Sequence, residues 1–559
     1  MTHQLAGHLL VECLIEQGTE FAFGVPGESY LAVLDGFHAR QDHIKFVICR
    51  QEGGAAFMAE AHGKLTGRPG ICFVTRGPGA TNASIGVHAA FQDSTPMVLL
   101  VGDVASDARD REAFQEVDYF SFFGPLAKRV ERIDDPRRIP EYVARAFATA
   151  MNGRPGPVVL VLPEDMLTQT VDAAPLPRVE PVQTFLGAEP LQRLCELLSK
   201  AERPLVIVGG SGWTPQSAQA LQRFAQRWQL PVTNAFRFQD IFDNHDALYA
   251  GDVGIGINPR LAARVKGSDL ILAIGPRLGE ATTAGYTLIE SPQPRQKLIH
   301  IHASAEELGR VYQAALAINA TMNVAALALD ALAAPTAIPW QDWTQACHAD
   351  YLANLTPHAL PGDIDVPAIV TLLQQHLPPD AVLTNGAGNF ASWLHRFFKH
   401  HGLANGLKTQ LAPTLGAMGY GVPAGIAAAI TSGRVVLTMA GDGDFLMTGQ
   451  ELATAVQHGA KTIIVLLNNG MYGTIRMHQE REYPRHVSGS QLRNPDFAAL
   501  ARAYGYFGVH ITRTAQFEAE LLAALARRQG TLIEVALDPE VITTRATLTS
   551  ITESSLQKV

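Results

Sequence analysis

The chain has 559 residues, 47% of them hydrophobic and only 17% charged, which excludes a disordered polyelectrolyte and calls for a large interior or extensive subunit interfaces. One core rarely grows beyond about 250–300 residues, so two to four domains are expected. A formal charge of −9, with no long basic run, argues against a nucleic-acid partner.

At the N-terminus, Leu5, Leu9, Leu10, Cys13 and Leu14 are spaced as in an amphipathic helix over residues 4–17. The segment lacks the basic-then-apolar pattern of a secretory signal. Phe21–Val25 reads as a buried strand ending at the turn Pro26-Gly27. Strand and helix patterns then alternate through Ile71–Val74, Met97–Val101 and Val158–Leu162, the rhythm of a doubly wound parallel sheet. Thr168–Glu189 is rich in Pro, Val and polar residues and reads as a linker. A second α/β unit opens at Pro204–Gly210, includes Leu270–Ile274 and Leu298–Ile301, and fades before the Ala/Pro-rich boundary Ala331–Pro339. The third has strand candidates Ala381–Thr384, Val435–Met439, Thr462–Leu467 and Thr531–Val535. The expected fold is therefore α/β, with three doubly wound parallel-sheet domains at 1–170, 190–330 and 355–540. No run of about 18 apolar residues exists, so no membrane span is expected. The five cysteines (Cys13, Cys49, Cys72, Cys195, Cys347) form no CxxC pair, which points away from disulfides and zinc and towards a reducing, cytoplasmic location.

The most informative stretch is Val435–Gly473. One buried strand ends in Gly441-Asp442-Gly443, and a second, with 24 residues between Gly443 and Asn468, ends in Asn468-Asn469. Two adjacent parallel strands would thus deliver a carboxylate and an amide oxygen to the sheet edge where ligands bind. With a backbone carbonyl and diphosphate oxygens, Asp442 and Asn469 make an oxygen set suited to Mg²⁺. The glycines allow close backbone approach to phosphate.

This segment resembles the GDG…NN motif of thiamine-diphosphate enzymes. The resemblance implies the thiamine-diphosphate-binding fold, Asp442, Asn469 and the Met471 carbonyl as Mg²⁺ ligands, and cofactor contacts at Gly441, Gly443, Asp444 and Phe445. In Leu415–Gly421 it implies Met418 as the wedge that bends the cofactor, with the Gly416 carbonyl accepting its pyrimidine amino group. Gly388 and Asn389 look like a second diphosphate contact. Glu52, after the apolar run Phe46–Cys49 and before small residues, matches the carboxyl group that bonds the pyrimidine nitrogen and promotes loss of the C2 proton. The family usually has His before this Glu; here it is Gln51.

Within the family, the stretches Gly77–Asn82, Asp93–Pro96, Ala113–Asp118 and Gly153–Val158 are most similar to acetolactate synthase large subunits. That likeness implies that Phe114 and Gln115 reach the reacting centre from a partner subunit. It also implies a homodimer or homotetramer acting on 2-oxo acids, decarboxylating one and joining the remainder to a second carbonyl compound. Gly24–Glu28 instead resembles the acidic loop of simple 2-oxo acid decarboxylases, in which Glu28 would direct the proton that releases an aldehyde. In the middle domain, His300–Ser304 lacks the carboxylates that usually hold a nucleotide ribose, while Arg277 is a candidate phosphate contact.

Overall fold

The computed structural model describes residues 3–557. Three six-stranded, wholly parallel sheets follow one another along the chain, each flanked by helices. The N-terminal sheet contains Phe21–Gly24, Lys45–Ile48, Gly70–Val74, Met97–Asp103, Arg129–Arg132 and Pro157–Pro163. The C-terminal sheet contains Val382–Asn385, Gln410–Leu411, Val436–Gly441, Ile463–Asn468, Phe507–Ile511 and Thr531–Ala536. Counted along each domain, both sheets have the order 2-1-3-4-6-5. Both therefore reverse direction at the same place, between the first and third strands, where a crevice opens beyond the carboxyl ends of the strands. The middle sheet, Pro204–Val208 to Leu316–Asn319, has the order 3-2-1-4-5-6 typical of dinucleotide-binding folds.

The central strands form because their residues are apolar on both faces, as a sheet covered by helices on each side requires. Gly70–Val74, Met97–Asp103 and Val436–Gly441 are buried throughout. The reading of Thr168–Glu189 as linker needs one correction. Thr170–Asp172 pairs antiparallel with His3–Leu5, tying the end of the first domain back to its beginning.

One hydrophobic core runs through the N- and C-terminal domains together, and Phe57 meets Tyr420 edge-on across it, with ring centroids 5.4 Å apart. The middle domain keeps separate cores around Trp228 and Ile271. Helix Glu52–Thr66 can lie this close to both domains because most of its inward residues are Gly or Ala. A methyl group on Gly86 would come within 2.3 Å of Ala56. Among the described residues, no helix is long and apolar enough to cross a membrane.

Candidate active site

A cavity of about 650 Å³ opens at the crevice of the C-terminal sheet. It brings together Gly388, Asn389, Gly416, Met418, Gly441, Asp442, Gly443, Asp444, Asn469 and Met471, ten of the eleven positions singled out in this domain. Phe445 is the exception: its ring turns into the core and packs edge-on against Phe497 at 5.7 Å.

Asp442 opens a short helical turn at the end of strand Val436–Gly441 and is almost wholly buried. Its Oδ2 accepts from the Gly470 N–H at 2.9 Å and from Asn494 Nδ2 at 2.7 Å, while Oδ1 accepts from the Gly443 N–H at 3.0 Å. Burial raises the carboxyl above its usual range, against the pull of these donors. Asn469 makes no side-chain hydrogen bond among the described residues, so its amide oxygen is free to ligate. Asn494 had no sequence signal; it joins Asp442 to Asn468 Oδ1, 2.9 Å away, and so fixes the two strand ends relative to each other. Asp444 accepts from the Gly419 N–H at 2.8 Å and the Ala387 N–H at 3.1 Å, while its Oδ2 is buried without a partner. Burial pushes this carboxyl up to about 7.

The donor set fits a magnesium diphosphate: a carboxylate, an uncommitted amide, and glycines whose backbone is reachable. Added methyl groups at Gly441 and Gly443 would strike Phe390 and Tyr472 at 2.6 and 2.5 Å. Asn389 is held in place by Thr474, whose hydroxyl accepts from the Asn389 N–H at 3.0 Å and donates to its Oδ1 at 3.1 Å.

The wedge segment is fixed from the N-terminal domain. Asp93 Oδ1 accepts from the Thr414 N–H at 2.8 Å and the Leu415 N–H at 3.2 Å, and the other oxygen pairs with Lys64. Lys64 also pairs with buried Glu60 at 3.1 Å, which in turn accepts from the Tyr420 hydroxyl at 2.5 Å. Sequence reading missed this network, because nothing local marks a buried Glu-Lys pair at helical spacing as different from a surface one.

The N-terminal candidates assemble at a second place, the crevice of their own sheet. Glu52 is the first residue of its helix, Gln51 caps it by accepting from the Gly54 N–H at 3.0 Å, and the Glu52 carboxylate accepts from Asn82 Nδ2 at 2.9 Å. Gln115 adopts a left-handed backbone, φ 65°, and its carbonyl accepts from the Gly77 N–H at 2.9 Å. Phe114 beside it is 73% exposed. Glu28 pairs with Arg76 at 2.8 Å. None of these four lines the C-terminal cavity, so within one chain the two groups of candidates lie apart.

In the middle domain, Arg277 is engaged by Gln92 and Glu307, and the space beside it holds only about 50 Å³.

Three family models match in order: the N-terminal TPP binding domain of thiamine pyrophosphate enzymes over residues 5–122, the central domain over 191–332, and the C-terminal TPP binding domain over 386–535. The acetolactate synthase large subunit of Parasynechococcus marenigrum is 32% identical, over 94% of this chain and 86% of its own length. The isozyme 2 large subunit of Escherichia coli K12 is 31% identical over 95% of each chain. The large subunit of Corynebacterium glutamicum is 30% identical over 90% of this chain and 82% of its own. With the fold, the order of the three matches and the cavity in agreement, the chain belongs to the thiamine pyrophosphate enzymes, in the acetolactate synthase-like branch of that family.

Proposed function

We propose that the protein is a Mg²⁺-dependent carboligase that takes a 2-oxo acid as donor, releases CO₂ and joins the remaining fragment to a second carbonyl compound, as an acetolactate synthase does. The observation that carries this is the convergence of Asp442, Asn469 and Met471 on one cavity with Gly416 and Met418. When bound, thiamine diphosphate supplies the nucleophilic carbon and the electron sink for decarboxylation. The chain's own residues do the rest. Asp442 and Asn469 hold the metal through which the diphosphate is anchored. Met418 enforces the bend, on a backbone immobilised by Asp93. Glu52 holds or shares a proton at the pyrimidine nitrogen, and its position is set by Asn82 and the helix N-terminus.

Because Glu52 and Asp442 lie apart within one chain, we assign a complete site to two chains, with Glu52, Phe114 and Gln115 offered by one protomer to the Asp442 cavity of its partner. A homodimer is the smallest assembly that does this, and a tetramer of two such dimers is compatible with it. Exposed Phe114 fits such a partner contact. The five unpaired cysteines, four of them buried, fit a reducing cytoplasm.

Simple decarboxylation is the less favoured outcome, since Glu28 is committed to Arg76, which is itself paired to Glu164 at 2.5 Å. Product analysis tests the reading: purified enzyme with thiamine diphosphate, Mg²⁺ and a panel of 2-oxo acids that begins with pyruvate. From pyruvate, about one acetolactate per CO₂ is expected, or about half an equivalent per pyruvate consumed. A full equivalent of aldehyde would overturn carboligation, and no CO₂ from any 2-oxo acid would overturn the donor class.

A further inference from the structure

Part of the cavity wall comes from the middle domain, and one residue in it is unusual. Arg237 lines the cavity, yet its Nε and Nη1 are buried with no hydrogen-bond acceptor, and no carboxylate among the described residues lies within ion-pairing distance. A buried guanidinium without a direct acceptor is a destabilising feature that a folded chain ordinarily avoids, and the carboxylates that favour its charge, Asp252 and Asp93, act only from beyond ion-pairing distance. Burial draws it down only to about 10, so it is a cation at neutral pH. Its backbone is also in the left-handed region, φ 69°, where a residue other than glycine is held only by its surroundings.

Those surroundings are rigid. The Ala235 N–H donates to the Val208 carbonyl at 2.7 Å, and the Gln239 N–H donates to Gln410 Oε1 at 2.8 Å. The Arg237 guanidinium lies over the Phe236 ring, 4.7 Å from its centroid. Strain and an unsatisfied charge together, on a scaffold that prevents relief of either, mark a group arranged for something outside the protein.

The neighbouring His395 shows the same lack of a partner. Because Gln410 Oε1 accepts from a backbone N–H, its Nε2 must donate to Gln239 Oε1, 2.8 Å away. Gln239 Nε2 in turn donates to the His395 carbonyl at 2.6 Å. With both amides oriented, His395 Nδ1 must donate to Gln239 Oε1 at 2.6 Å. The lone pair of its ring is then on Nε2, which is buried and unpartnered. His395 therefore adds an acceptor beside Arg237 and not a second cation.

We infer that Arg237 is the anchor for the carboxylate of the 2-oxo acid, with His395 Nε2 accepting a hydrogen bond from a substrate hydroxyl or a bridging water next to it. This rests on the reading of the cavity as the site of 2-oxo acid chemistry. A carboxylate has the two parallel lone-pair edges that a planar guanidinium fork matches. The diphosphate is not the occupant, because its own donors are in the loops of the C-terminal sheet and not in the middle domain.

The test uses the full-length enzyme loaded with thiamine diphosphate and Mg²⁺ and titrated with oxamate, an unreactive isostere of a 2-oxo monoacid. One oxamate per chain is expected. Affinity should fall roughly 10–100-fold in Arg237→Gln, and less in Arg237→Lys, which keeps the charge but not the fork. Exchange of the cofactor C2 proton, measured without oxo acid, should be the same in all three proteins, which confirms that the variants fold and bind cofactor. Equal oxamate affinity in wild type and Arg237→Gln, or no saturable oxamate binding to wild type, overturns the inference. Absence of C2 exchange in the wild type would instead overturn the cofactor reading on which it stands.

Discussion

The carboxylate of Glu451, in the C-terminal domain, accepts from the backbone N–H of Gln51 at 2.9 Å. It also accepts from the Arg50 N–H at 3.1 Å and from the Thr454 hydroxyl at 2.6 Å. The residue that precedes Glu52 is thus fixed by the other cofactor-binding domain of the same chain. Replacing Glu451 with Ala leaves two backbone N–H groups at a half-buried helix start without an acceptor. The expected loss is about 2–4 kcal/mol of stability, read as a lowered thermal midpoint, together with slower C2 exchange. An unchanged midpoint would show that water replaces the carboxylate.

Asp442 should affect stability in opposite directions with and without metal. Its burial is unfavourable when nothing neutralises it, and burial raises its carboxyl accordingly. Asp442→Asn is therefore expected to melt at or above wild type in the presence of EDTA. With Mg²⁺ and thiamine diphosphate, wild type should melt higher, because only it gains from ligand binding. Affinity for the cofactor should fall by at least about 100-fold in the variant. Equal stabilisation of both proteins by the ligands would remove Asp442 from the metal site.

Two inactive variants should complement each other. In a mixed homodimer of Glu52→Gln and Asp442→Ala, one of the two sites receives both intact residues. Random re-association of equal amounts makes half the dimers mixed, so activity should recover to about a quarter of wild type. No recovery after verified subunit exchange would place the whole site within one chain.

His400 predicts an acid limit. It is buried at the junction of the middle and C-terminal domains, where its Nδ1 lies 3.0 Å from the Thr409 hydroxyl. Burial pulls it down to about 4, with Asp240 opposing. The unfolded chain binds this proton near pH 6.5, whereas the folded chain resists it until about pH 4. Its contribution is therefore intact above pH 6.5 and is lost as pH falls to 4, about 3 kcal/mol in all. His400→Gln should show a shallower loss of thermal midpoint over this interval. Identical pH profiles would mean that His400 is protonated in the fold.

How much could be read from the sequence follows from where each signal is located. Strands buried on both faces announce themselves: Leu270–Ile274 has the same limits in sequence and structure. Arg129–Arg132 is an edge strand of alternating charge and leaves no apolar run to detect. Gln410–Leu411 is two residues long. Asp442 and Asn469 are recognisable because residue type, spacing and strand ends coincide locally. Asp93, Glu451 and Arg237 are not, because their roles arise from partners more than 100 residues away or, for Arg237, from the absence of one. The tail also differs from its composition. The polar composition of Thr552–Val559 suggests a mobile tail, yet its stretch to Leu556 continues helix Leu548–Leu556, and the Thr552 hydroxyl donates to Glu480 at 2.9 Å; residues 558 and 559 lie outside the described residues.

The central claim is that Glu52 activates thiamine diphosphate held by Asp442 and Asn469. Its most direct test is the rate at which the bound cofactor's C2 proton exchanges with deuterium, followed by NMR after acid quench, in wild type and Glu52→Gln saturated with cofactor and Mg²⁺. Rapid exchange in wild type, slowed by about 100-fold or more in Glu52→Gln, is the predicted result. Equal exchange rates in the two proteins would contradict the account.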